Sequence, residues 1–153
     1  MGSFKTARLF GNQRALVAAA LHDPDRGVYI IDTDDAVAAK AHNYQDLLTD
    51  TQFSLIIRGD RPYSRRFCDV VCSGVVPVML HSDGWVTPFT TLVPFTSYGV
   101  FFRFDELPDI LDRLHNLPVR NVTSLRRNAK EFCARYIDSV AHQTDGLVDA
   151  VLL

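Results

Sequence analysis

No stretch of this sequence approaches the roughly 18 consecutive apolar residues that a membrane-spanning helix requires. Its first residues, Met1 to Arg14, are polar and basic and lack the apolar core of an export signal. As written, the chain is expected to hold neither a span nor a signal peptide. Charge of one sign is also missing. With 16 basic and 18 acidic residues, the net charge of -2 leaves no global basic footprint for nucleic acid or a membrane surface, so an anion site has to be local. Cysteine is sparse: Cys68, Cys72 and Cys133 come without a CxxC pair or a nearby pair of histidines, which argues against a metal site. Three cysteines do not all pair. Cys68 and Cys72, at i and i+4, share one helix face, and all three read as buried or half-buried thiols. Internal repeats, low-complexity segments and the Walker and GxGxxG glycine patterns are absent as well.

What is present suffices for one domain with a real core: 153 residues, 47% of them hydrophobic. Arg14 to Leu21 is Ala-rich and helix-favouring, and it stops at the turn-forming run His22 to Gly27. Short apolar runs at Val28 to Ile31, Phe53 to Ile57, Val75 to Leu80 and Tyr98 to Phe104 suit strands buried on both faces. Between them, Tyr44 to Leu48 reads as a short helical segment. Ser64 sits where an N-cap belongs, ahead of a helix whose apolar face is Phe67, Val70, Val71 and Gly74. Asp105 to His115, with Pro108 in its first turn, and Asn121 to Val140 read as the closing helices. Strands alternating with helices predict an α/β domain, a parallel sheet covered on both faces.

In such a sheet ligands bind beyond the carboxyl ends of the strands, where loops lead into helix N-termini. Here that place is Arg58 to Arg66. Unpaired N–H groups in the first helical turn favour an anion, Arg58, Arg61, Arg65 and Arg66 add positive charge, and Ser64 adds a hydroxyl donor. A second reading has Arg65 and Arg66 pairing with Asp69 at i+4 and i+3, and Asp60 with Arg58 or Arg61; spacing alone leaves both open. Trp85 is as compatible with loop packing as with a sugar contact, and His81, a lone histidine at a strand end, is expected to be structural. Arg126, Arg127 and Lys130 suggest a solvated helix face rather than a nucleic-acid site. Gly11-Asn12-Gln13-Arg14 does not supply the glycine fingerprint of an unrelated dinucleotide binder.

From Tyr44 through Pro118 the chain resembles the exostosin family of glycosyltransferases, the GT47 type. That family shows "Y...L..S.FCL.PRG", then "S.R..EA...GC.PV", then "PF" and a closing helix. The corresponding residues are Phe53-Ser54-Leu55-Ile56-Ile57-Arg58-Gly59, then Ser64-Arg65-Arg66-Phe67-Cys68-Asp69-Val70, then Ser73-Gly74-Val75-Val76-Pro77-Val78, then Pro88-Phe89. Weaker similarity extends back to about Arg14.

The resemblance implies a Rossmann-like domain, the C-terminal half of a GT-B enzyme, which holds a UDP-sugar donor for inverting transfer to a glycan acceptor. It implies no cofactor and no bound divalent metal for the diphosphate. Helix-end N–H groups and arginines offer a physical reason, since they neutralise a leaving diphosphate. Arg58, Ser64 and Arg66 match the diphosphate positions, Asp69 the acid that contacts the ribose, and Asp83, Gly84 and Trp85 the loop that approaches the donor. Asp69 is one methylene shorter than the family's Glu, while Ser54, Ile57 and Val75 stand where the family often has Cys, Pro and Cys.

The family also implies the Golgi and secretory pathway, with which the sequon Asn121-Val122-Thr123 agrees. It implies an acceptor-side domain and an anchor ahead of this region, so that Met1 to Lys5 falls at the end of a central strand and the chain is weakly stable unless Ser3 to Phe10 replaces it. On that basis the chain is expected to be an incomplete enzyme. The alternative is a non-catalytic remnant that partners a full-length relative.

Overall fold

The computed structural model of the chain describes residues 11–28, 30, 43–57, 65–81 and 87–152. Three apolar runs become the strands β1 (Phe53–Ile56), β2 (Val76–His81) and β3 (Val100–Arg103), all parallel and in the order β1-β2-β3. Their registers place Ile56 beside Met79 and His81 beside Arg103, so the carboxyl ends lie along one edge. Pro77, inside the middle strand, costs no ladder bond. The Val76 N–H points to β1, bonding the Gln52 carbonyl at 3.0 Å, so by alternation Pro77 faces the other side, one residue before the β3 ladder opens at Val78.

Helices cover both faces, as the pattern of buried strands predicts. They are α1 (Gly11–Leu21), α2 (Tyr44–Asp50), α3 (Arg65–Cys72), α4 (Ile110–His115), α5 (Val119–Tyr136) and α6 (Val140–Leu152). On one face Ile56, Val75 and Met79 pack with Leu48 of α2, Phe67, Val70 and Val71 of α3, and Ala129, Phe132 and Tyr136 of α5. On the other, Val78, Leu80 and Phe102 meet Val17 and Leu21 of α1 and Ile110 of α4. The first face is rich in rings. Tyr98 stacks on Phe132 at 4.4 Å between centroids, Phe67 meets both edge-on at 6.3 Å, and Phe95 meets Tyr98 edge-on at 5.2 Å. Such pairs add about 0.5–1.5 kcal/mol each beyond their buried area.

The carboxyl end of α3 is tied to α5 in three ways. Gly74, at φ +71°, ends the helix in the left-handed conformation, and its carbonyl accepts a 2.9 Å hydrogen bond from Nε of Arg126. The Lys130 side chain lies where a Cβ on Gly74 would stand. Cys72, exposed, is disulfide-bonded to the buried Cys133, 61 residues away in sequence. The expectation of three thiols is therefore corrected: two cysteines pair, because the α3–α5 contact brings distant positions together in a way local spacing does not reveal. Cys68, half-buried, packs against the core of this face. Arg126 thus serves the fold, and Arg127 pairs with Glu131 at 3.8 Å.

Three further expectations change. The strand at Val28 to Ile31 does not form among the described residues. Asp23 caps the short turn Pro24–Arg26, Gly27 adopts φ +73°, and Val28 folds back on Asp23 through bonds of 3.1 and 2.8 Å, so its backbone groups are used locally. Tyr29 and Ile31 lie outside the described residues, as do Met1 to Phe10. Asp105 to His115 divides into a 3-10 turn, Phe104–Asp109, and α4, with Pro108 near the end of the tighter turn and just ahead of α4 rather than in the first turn of one helix. The helix expected to run to Val140 stops at Tyr136. Ile137 and Asp138 both donate to the Cys133 carbonyl, and Ser139 then accepts from the His142 N–H at 3.1 Å to start α6.

Reducing the disulfide, or Cys72→Ser, is expected to lower the unfolding free energy by about 4 kcal/mol, the loop-entropy value for a closure of this length. Urea unfolding with and without reductant measures it. Gly74→Ala, forcing a Cβ into a left-handed residue, should cost about 1–2 kcal/mol in the same assay.

Candidate functional site

Beyond the carboxyl end of β1 the chain turns into α3, and the first side chain described there is Arg66. Its side chain is half-buried. Its guanidinium carbon lies 5.1 Å from the ring centroid of Tyr44, the first residue of α2, in a cation–π stack. That residue is held because Asn43 caps the helix, accepting from the Gln45 N–H at 3.0 Å. The contact with Arg66 places this first residue of α2 beside the start of α3.

Each of the two groups buries a polar atom that no described residue satisfies. Nη1 of Arg66 and the Tyr44 hydroxyl are shut off from water and have no hydrogen-bond partner among the described residues. Burial pushes the Tyr44 phenol up, with the Arg66 charge opposing and the Asp69 charge reinforcing, so the hydroxyl keeps its proton at neutral pH. Burial pulls the Arg66 guanidinium down from its usual value, while Tyr44 and Asp69 oppose. A guanidinium stays charged under such a shift. Asp69, exposed on the next turn of α3, therefore acts on both through space. Among the described residues no ion pair joins it to Arg66, so the local-pairing reading of these two does not hold. What results is a guanidinium held over a ring with one N–H unused, next to a neutral hydroxyl donor, an arrangement that suits an anion rich in acceptor oxygens.

Of the predicted site residues, Arg66 and Asp69 are brought together at this edge. Arg58 and Ser64 lie outside the described residues, as do Asp83, Gly84 and Trp85. Arg61 and Asp60 are outside them too, and Arg65 and His81 are described only by their backbones, His81 as the last residue of β2. Past the donor-loop positions the chain resumes at Thr87, buried, and Pro88, followed by Phe89 at φ +54°. That strained residue is held from both sides. Its carbonyl accepts from the Leu92 and Val93 N–H groups at 3.0 and 2.9 Å, and its ring stacks on Tyr136 at 5.2 Å. Tyr98, behind it, is fully buried, and burial pushes its phenol up against the opposing influence of the Thr87 hydroxyl. Tyr44 was missed as a site residue. Its only signal was its place at the head of the matched run.

A parallel sheet covered by helices on both faces is the Rossmann-like architecture of a glycosyltransferase half. Comparison with known proteins agrees. The profile of the Exostosin GT47 domain matches residues 9–117. Exostosin-1 homolog of Caenorhabditis elegans is 30% identical over 85% of this chain, and Exostosin-2 of Bos taurus is 27% identical over 66% of it. Exostosin-1 of Drosophila melanogaster is 28% identical over 65% of the chain. The chain belongs to the exostosin GT47 family, a glycosyltransferase family. It spans 34% of the length of the nematode relative and 14% and 13% of the other two.

Tyr44 and Tyr98 have folded-state pKa values raised above the ordinary 10.0. Their contribution to stability is fully present below about pH 10 and falls away as pH rises through the raised values, because the unfolded phenols ionise first. Thermal melts across about pH 8 to 11 should be flat at the lower end and drop above about pH 10, and Tyr98→Phe should reduce the drop.

Proposed function

We propose that this chain is the donor-binding domain of an exostosin-type transferase, holding a UDP-sugar whose glycosyl group passes with inversion to a glycan hydroxyl. The single observation that supports this most is the half-buried Arg66, stacked on Tyr44 beside the start of α3 with a guanidinium nitrogen left without a partner. A diphosphate supplies the oxygens that such a group lacks, and the arginine offsets the charge that develops on the leaving UDP. Arg58 and Ser64 are proposed to complete the diphosphate seat, Asp69 to accept from the ribose hydroxyls, and Asp83, Gly84 and Trp85 to approach the sugar. In this reading the diphosphate is neutralised by protein groups, without a divalent metal or other cofactor. The Cys72–Cys133 disulfide favours an oxidising compartment, in keeping with the Golgi and secretory pathway.

One observation favours a second reading. Asp69 is exposed and a methylene shorter than the Glu of the family pattern, which suits a domain that keeps the fold without completing transfer and acts beside a full-length relative. Asp69→Glu separates the two: tighter UDP binding together with turnover of the sugar donor by this chain without a full-length relative favours the enzyme.

Calorimetric titration of UDP is the direct test. Saturable binding is expected, weakened about 10- to 100-fold by Arg66→Ala, the size of a lost charge-assisted hydrogen bond, and less by Asp69→Ala. A protein that retains its melt but takes up no UDP would overturn the donor reading.

A further inference from the structure

An arginine stacked on a tyrosine is common and by itself signals no ligand. Among the described residues the core Tyr98 hydroxyl is also buried without a partner, but in the Tyr44–Arg66 pair two such atoms lie on side chains in contact. A hydroxyl buried without a partner costs about 1–3 kcal/mol, a cost that Phe at the same position avoids while keeping the ring. Here two such atoms, Tyr44 Oη and Arg66 Nη1, belong to side chains in contact beside the start of α3. Both are donors. The phenol, pushed up by burial, keeps its proton, and the guanidinium has no acceptor capacity at all. The phenol oxygen could also accept, but with the guanidinium stacked over the face of the ring no bond forms between the two, so a group carrying several acceptor oxygens would take up the hydroxyl proton and the unused N–H together.

We infer that the Tyr44 hydroxyl is a donor-binding group, which together with Arg66 holds the phosphoryl oxygens of the nucleotide diphosphate while its ring keeps the guanidinium in place. The inference rests on the donor reading above and adds to it a neutral hydrogen bond supplied from α2, an element separate from the strand-loop-helix. It gives the site two supports, α2 and α3, which pack into the same core on one face of the sheet. The hydroxyl would contribute through direction rather than charge, because an O–H bond has one line of donation whereas a guanidinium offers a broad fork.

Tyr44→Phe keeps the ring and the stack and removes only the hydroxyl. Titrating UDP and inorganic pyrophosphate into wild type, Tyr44→Phe, Arg66→Ala and the double variant separates the possibilities. The expected result is a loss of about 5- to 20-fold in affinity for both probes in Tyr44→Phe. The free variant should melt at or above the wild-type temperature, since an unsatisfied buried group has been removed. The double variant should show less than the product of the single losses, because the two donors share one anion. If Tyr44→Phe binds both probes as wild type does while Arg66→Ala loses them, the inference is overturned and the donor reading stands. If affinity falls together with the melting temperature of the free protein, the hydroxyl is structural and the inference is again overturned. If folded wild type binds neither probe, both fall together.

Discussion

Everything at the candidate site depends on how rigidly α3 is held at the end away from it. A helix of this length has little stability of its own, yet its carboxyl end is fixed to α5 by the Cys72–Cys133 bond, the Arg126 hydrogen bond to the Gly74 carbonyl and the packing of Phe67, Val70 and Val71. With that end fixed and one face buried, the position of Arg66 on the first turn follows from helical geometry. Precision at the sheet edge is thus derived from contacts made about a helix length away.

The electrostatics follow the same logic of placement before charge. The chain is nearly neutral as a whole, and its other described arginines are spread among ordinary tasks. Arg26 pairs with Asp112, Arg103 with Asp105, Arg113 with Glu106 and Arg127 with Glu131. These are exposed pairs of the kind that contribute little to stability. Arg66 differs in being half-buried beside a ring and in leaving a nitrogen unpaired. A desolvated cation over an aromatic face acts at shorter range and with less screening than a surface arginine.

Much of the architecture was legible because its signals are local or periodic. Continuous apolar runs located all three strands, and α1 and α2 followed from Ala-rich and apolar segments. The covering of both sheet faces follows from strands without a polar side. Less legible were features fixed by contacts between distant residues. The Cys72–Cys133 bond needs α3 against α5, the stop at Tyr136 needs the paired donations to the Cys133 carbonyl, and the closed turn at Asp23 to Val28 takes up groups that a strand would have used. At the site, Arg66 and Asp69 were found through the motif, whereas Tyr44 became visible only when α2 was seen to place its ring beneath the guanidinium. Its isolation by sequence distance, not its chemistry, concealed it.

The order in which the cysteines are synthesised has a consequence for biogenesis. Cys68 and Cys72 leave the ribosome together, whereas the native partner of Cys72 follows 61 residues later. During that interval Cys72 is exposed to mixed disulfides and to the neighbouring thiol, and the correct bond waits for translation of α5. The native bond thus forms only after α5 has been made, and any earlier partner of Cys72 has to be exchanged for Cys133.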